Sequence, residues 1–180
     1  MLFRSKGATV PLVEHWNGSK WSIMPIPAGA TPSALFAIGS SGPKDVWVAG
    51  DQLRRGTADT AAPLVEQWNG TAWKVMSLPD LGVHGDKAIG IYAASPADVW
   101  VTSEHAGPGI TGGTSGVFLH WNGTRWARVN VPGPQQLGVE YAYAGIAGAG
   151  PHDIWASGTK VSVFGASADD EPVIAHYSCT

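Results

Sequence analysis

The side chains able to do chemistry fall into two groups, one that recurs along the chain and one that does not. Three of the six histidines recur: His15, His120 and His176 each stand directly before an aromatic residue, and Gln67 takes the same place before Trp68. Three imidazoles converging on one point would make a metal centre. Recurrence argues instead for packing or a hydrogen bond inside each unit, because equivalent positions of different units do not converge. The non-recurring group comprises Arg54, Arg55 and Asp59, then His84 and Asp86, then Glu104 and His105, and finally Asp169, Asp170 and Glu171. Carboxylates gathered from neighbouring loops suit Ca2+ or the hydroxyls of a sugar, and the arginines suit an anion held bidentately. These are the candidate ligand-binding residues. No spacing picks out a carboxylate pair for glycoside hydrolysis, or a Ser or Cys with a fixed histidine partner, so no catalytic residue and no metal ligand is assigned.

The elements that must position these groups are visible as a repeat. Pro11-Leu12-Val13-Glu14-His15-Trp16-Asn17-Gly18 returns as Pro63-Leu64-Val65-Glu66-Gln67-Trp68-Asn69-Gly70, and again as Val117-Phe118-Leu119-His120-Trp121-Asn122-Gly123. Asp45-Val46-Trp47 alternates with it, returning as Asp98-Val99-Trp100 and Asp153-Ile154-Trp155. The Trp-Asn-Gly tryptophans are 52 and 53 residues apart, the Asp-x-Trp tryptophans 53 and 55, and all nine tryptophans lie in these two elements. The units run over about 11–62, 63–116 and 117–171, and 172–180 opens a fourth with Tyr177 at the tryptophan place.

Each unit divides into four short apolar runs, A to D. In the second they are 34–40, 45–51, 63–69 and 72–78. Asn-Gly between C and D predicts a tight hairpin, since that pair tolerates the positive φ of a type I′ turn, and Ser-Ser-Gly-Pro-Lys predicts a turn between A and B, where Asp45 can bond backbone N–H groups. Strand C is apolar on both faces, which suits a sheet covered on both sides. The expectation is an all-β fold of four-stranded antiparallel β-propeller blades forming a single domain. Since strands alternate in direction, B–C and D–A connections share one rim. The B–C stretches 52–62, 104–115 and 160–171, and the D–A stretches 80–87 and 133–140, are long and dissimilar, so binding residues are expected there.

Charge and composition narrow the partners. A formal net charge of −3 without a Lys/Arg cluster argues against nucleic acid, and no apolar run suits a membrane helix. The first residues lack the apolar stretch of a signal peptide. Gly107-Pro108-Gly109-Ile110-Thr111-Gly112 matches a dinucleotide fingerprint in letters only, because nothing after it reads as a helix.

Trp-Asn-Gly-Thr-x-Trp with Ser-x-x-Asp-Val-Trp resembles the tryptophan-rich propeller repeats of bacterial proteins, often secreted or cell-surface, broadly similar to kelch and galactose-oxidase-like propellers. The resemblance implies a non-enzymatic binding module for carbohydrate or protein at the long-loop rim. The competing expectation is part of a propeller hydrolase or oxidase with catalytic residues partly outside this chain. A galactose-oxidase-like copper centre is not expected, since the single cysteine, Cys179, is wrongly placed. Strand counting gives thirteen strands, C and D first, two full sets, then A, B and C. Propellers close with about four to eight blades, so the expectation is a piece of a longer array or a homo-oligomer that closes the propeller.

Overall fold

The structure, a computed structural model, describes residues 3–5, 8–27, 32–53, 60–81, 86–106, 114–129, 139–164 and 167–178. All regular structure among them is β, in fifteen strands. A short hairpin pairs β1 (Phe3–Ser5) with β2 (Ala8–Val10), and a second pairs β3 (Val13–Trp16) with β4 (Trp21–Met24). Two four-stranded antiparallel meanders follow. One orders β5 (Ser33–Gly42), β6 (Asp45–Leu53), β7 (Ala61–Trp68) and β8 (Trp73–Val75). The next orders β9 (Lys87–Ser95), β10 (Asp98–Ala106), β11 (Thr114–Trp121) and β12 (Trp126–Val129). The last sheet has three strands, β13 (Val139–Gly150), β14 (Asp153–Phe164) and β15 (Ser167–Ser178).

The meanders stack face to face. One core lies between the β5–β8 and β9–β12 sheets, with Trp47, Ala49 and Val65 meeting Ile91, Val101, Leu119 and Trp126. A second lies between the β9–β12 and β13–β15 sheets, around Trp100, Phe118, Tyr143 and Ile154. The middle sheet is therefore covered twice, and Val99 to Ser103 of β10 are buried without a break. That continuous burial is what two-sided covering demands, in place of the alternation of a one-sided sheet.

The sheets share one orientation. A Cβ on Gly39 would meet the Ile91 carbonyl at 3.2 Å, and one on Gly90 the Ala144 carbonyl at 2.9 Å. Both contacts join residues of nearly equal height: Gly39 pairs with Trp47 near the start of β6, and Ile91 with Val101 near the start of β10. Only glycine lets the first strands approach so closely. The A–B and C–D turns thus gather at one end of the stack and the B–C connections at the other.

The hairpins between C and D form, with loops of four residues closed by the pairs Trp16–Trp21, Trp68–Trp73 and Trp121–Trp126. Gly18, Gly70 and Gly123 take φ of 97°, 94° and 88°. Each asparagine side chain fastens its loop: Asn69 Oδ1 accepts from Thr71 N at 3.0 Å, Thr71 Oγ1 at 2.8 Å and Ala72 N at 2.9 Å, and Asn17 and Asn122 do the same. The side chain supplies turn bonds that a two-residue loop would take from the backbone.

Two departures from the sequence reading concern the B–C connection. Residues 160–171, expected as a loop, are mostly strand, with Lys160 opposite Glu171, Val161 opposite Asp170 and Phe164 opposite Ser167. The Ser-Ala-Asp-Asp-Glu stretch is poor in strand formers, but a partner strand rich in Val and Thr holds it through the ladder. β1 and β2 were not foreseen, so the strand count rises from thirteen to fifteen. Phe3 pairs with Val10, the residue before Pro11, as Lys160 pairs with Glu171, the residue before Pro172, so this hairpin is a short version of the ribbon formed by β14 and β15.

Candidate functional site

The recurring polar residues of the three larger sheets resolve into one network each. Asp98 Oδ1 accepts from Trp100 Nε1 at 2.9 Å and lies 2.8 Å from His120 Nε2. Asp153 Oδ1 accepts from Trp155 Nε1 at 2.7 Å and lies 2.7 Å from His176 Nε2. Asp45 repeats the pattern with Trp47 Nε1 and Gln67 Nε2, each at 2.9 Å, and its second oxygen accepts from Ser41 Oγ at 2.6 Å. The histidine or glutamine sits opposite the tryptophan in the ladder, so each ring lies flat on its neighbour, with Trp100 and His120 centroids 4.3 Å apart and Trp155 and His176 centroids 3.9 Å apart. One carboxylate orients two aromatic rings. Asp45, expected to bond turn N–H groups, instead satisfies side-chain donors, among them the Nε1 of the buried Trp47, that burial would otherwise leave orphaned. No group of three or more His, Cys, Asp or Glu able to hold a metal ion occurs among the described residues.

The non-recurring residues are distributed unevenly. Arg54, Arg55, Asp59 and His84 lie outside the described residues, as do the glycine-rich stretch 107–112 and Cys179. Glu104 is half-buried on β10, opposite Lys87 and Gly116, and His105 follows opposite Ser115. Asp86 is fully buried just before β9. Asp169, Asp170 and Glu171 stand on β15 of the ribbon, where Glu171 Oε2 takes a 2.8 Å ion pair from Lys160. That contact holds the Lys160 ammonium above its usual range.

Two further rim residues escaped the sequence reading. Asp51, at the place of Glu104 in the repeat, has its carboxyl pushed up by burial, an effect that the Lys87 ammonium and a hydrogen bond from the Ala34 backbone partly counter. Charged residues in the outer part of a strand pattern are the signal for this pair. Asp51, Lys87 and Glu104 bring both signs of charge to the B–C end of two adjacent sheets.

A different feature lies near the opposite end. Between the β9–β12 and β13–β15 sheets is an apolar cavity of about 230 Å³, walled by Trp100, Phe118, Ala156, Ala175 and Tyr177 among others. Its walls are almost wholly apolar, and His176 among them is engaged with Asp153.

No protein-family model matches the chain, and no curated protein matches it.

Proposed function

We propose that this chain is a non-catalytic β-propeller-type module that binds a macromolecular ligand, carbohydrate or protein, at the B–C end of its sheets. The observation that carries the reading is the common orientation of the stacked meanders, which brings Asp51, Lys87 and Glu104 and the exposed Asp170 and Glu171 to one end of a rigid stack. Binding groups on strand ends and ribbons supported by buried sheets are pre-positioned, which lowers the ordering cost of association. The Asp-Trp-His networks support the non-catalytic part, because each repeated polar cluster has a structural task. Resemblance to tryptophan-rich secreted repeat proteins supports the binding role and an extracellular setting. Carboxylates at this end also suit Ca2+ as an accessory ion.

The test is a glycan array followed by capture from cell-surface protein fractions, using the wild-type chain and the double variant Glu104→Ala/Glu171→Ala. A ligand held at least tenfold more weakly by the variant supports the reading. A ligand held equally by both, or turnover of a glycan by the wild-type chain, overturns it.

A further inference from the structure

The β5–β8 unit, complete in all four strands, carries a pocket at the rim where its B–C and D–A connections meet. The ladder between β7 and β8 pairs Trp68 with Trp73 and Glu66 with Val75, and its last bond runs from Met76 N to the Val65 carbonyl at 2.9 Å. In the same register Pro63 falls opposite Leu78, with Pro79 next. Outward-facing backbone groups alternate along a strand, so the Pro63 carbonyl points the same way as that of Val65, and neither proline has an N–H to give to a ladder. Residues 77–81 therefore leave the edge of β7, and a pocket of about 270 Å³ opens there.

The walls combine two chemistries. Met76, Leu78 and Leu81 with the rings of Pro63 and Pro79 form an apolar surface, while Gln52 and Asp80 bring an amide and a carboxylate. Met76 and Leu81 are buried in the core between this sheet and the next, which fixes that surface in place. The prolines belong to the repeat: Pro11 and Pro172 stand where Pro63 does, and Pro27 and Pro132 where Pro79 does. The two polar residues do not. His105 and Lys160 hold the place of Gln52 in the later units, and Ala28 and Gly133 hold that of Asp80. The frame of the pocket is thus shared scaffold, and its polar groups are particular to this unit.

We infer that this pocket seats one neutral hexopyranose ring, the terminal sugar of a glycan. The C–H face of the ring lies on the Met76, Leu78 and proline wall, and its hydroxyls bond to Gln52, Asp80 and the Pro63 carbonyl. Size agrees: an apolar cavity of about 150 Å³ holds benzene, and one of about 270 Å³ suits a six-membered ring carrying hydroxyls. Polarity agrees as well, because a sugar hydroxyl both donates and accepts, and an amide beside a carboxylate answers both needs. The lining residues include a carboxylate and no cationic side chain, which disfavours an acidic sugar or a phosphate. This inference rests on the binding reading of the rim and narrows its ligand to the sugar end of a glycan.

The experiment titrates the 180-residue chain with the methyl glycosides of glucose, galactose, mannose and N-acetylglucosamine, read by saturation-transfer NMR. The expected result is saturable binding of at least one of them, weakened at least tenfold by Gln52→Leu and by Asp80→Asn and abolished by Ala62→Phe, which fills the pocket. Circular dichroism identifies the folded variants, and the two polar replacements decide the matter if Ala62→Phe does not fold. No glycoside bound by the folded wild-type chain, or binding unchanged in Gln52→Leu and Asp80→Asn, overturns the inference. Its failure is separable from that of the rim reading. A glycan weakened by Glu104→Ala/Glu171→Ala but indifferent to Gln52→Leu and Asp80→Asn overturns the sugar seat and leaves the rim reading standing. A methyl glycoside lost in the pocket variants supports the seat even where the Glu104→Ala/Glu171→Ala variant holds array glycans as the wild type does.

Discussion

The two inter-sheet interfaces are built from equivalent residues and end in different states. Between β5–β8 and β9–β12, Trp47 is 0 % exposed because Trp121 and Trp126 close over it. Between β9–β12 and β13–β15, Trp100 is also buried, but a cavity lies beside it, and among the described residues only β14 pairs with β15. At the outer face of the last sheet, Trp155 is 46 % exposed, and at the other end of the chain the Trp16–Trp21 pair is exposed. The difference teaches that the tryptophan of one unit is completed by the hairpin of the next. A single unit makes the polar network around its own tryptophan but cannot bury the ring, as expected where each repeat depends on its neighbour for a core.

The most severe way to break this comparison is Trp126→Ala. Emptying the sealed interface should lower unfolding free energy by about 3–5 kcal/mol, as for other buried aromatics. Trp21→Ala, the same replacement in the exposed hairpin, should fall within about 0.5 kcal/mol of wild type. Urea denaturation of the two variants checks both values, and equal losses would remove the distinction between sealed and open interfaces.

A smaller but more diagnostic effect is expected at Glu66. It is fully buried on β7, neither carboxylate oxygen has a hydrogen-bond partner among the described residues, and burial pushes its carboxyl up to about 7. The equivalent residue in the next sheet is the buried Leu119. With its folded pKa above the unfolded value, Glu66 favours folding fully below about pH 4.5, and that contribution is lost as pH rises toward 7. Glu66→Leu should therefore stabilise more at pH 8 than at pH 4, by on the order of 3 kcal/mol, and flatten the profile between them. Parallel pH profiles for wild type and variant would show that Glu66 is not the titrating group.

The Asp-centred networks offer a gentler comparison. Asp98→Ala orphans the Nε1 of the buried Trp100 and the His120 ring nitrogen and should cost about 1–3 kcal/mol. Asp153→Ala should cost less, because Trp155 and His176 can turn to water. The ratio of the two losses in thermal melts measures how much covering matters. Last, Lys160→Met removes a surface ion pair from the ribbon, and no change in melting midpoint is expected at either low or high salt.

Much of this molecule was determined by sequence alone, for local reasons. Strand positions, the hairpin closed by Trp68 and Trp73 and the unit length follow from short-range chemistry: an Asn-Gly turn, an Asp before a strand, apolar runs of strand length. Packing or hydrogen bonding of the recurring histidines within their own units was the expectation from recurrence, and His120 and His176 are each held by an aspartate of their own sheet. What required the tertiary structure depends on pairing over distance. The ribbon of residues 160–171 reads as loop because its polar half forms strand only when laddered to Thr159 through Phe164. Burial of Asp86 and Glu66, and the cavity beside Trp100, are equally invisible in any single unit. Identical tryptophans become core, cavity wall or exposed surface according to what the adjacent sheet supplies, and that is a property of the stack.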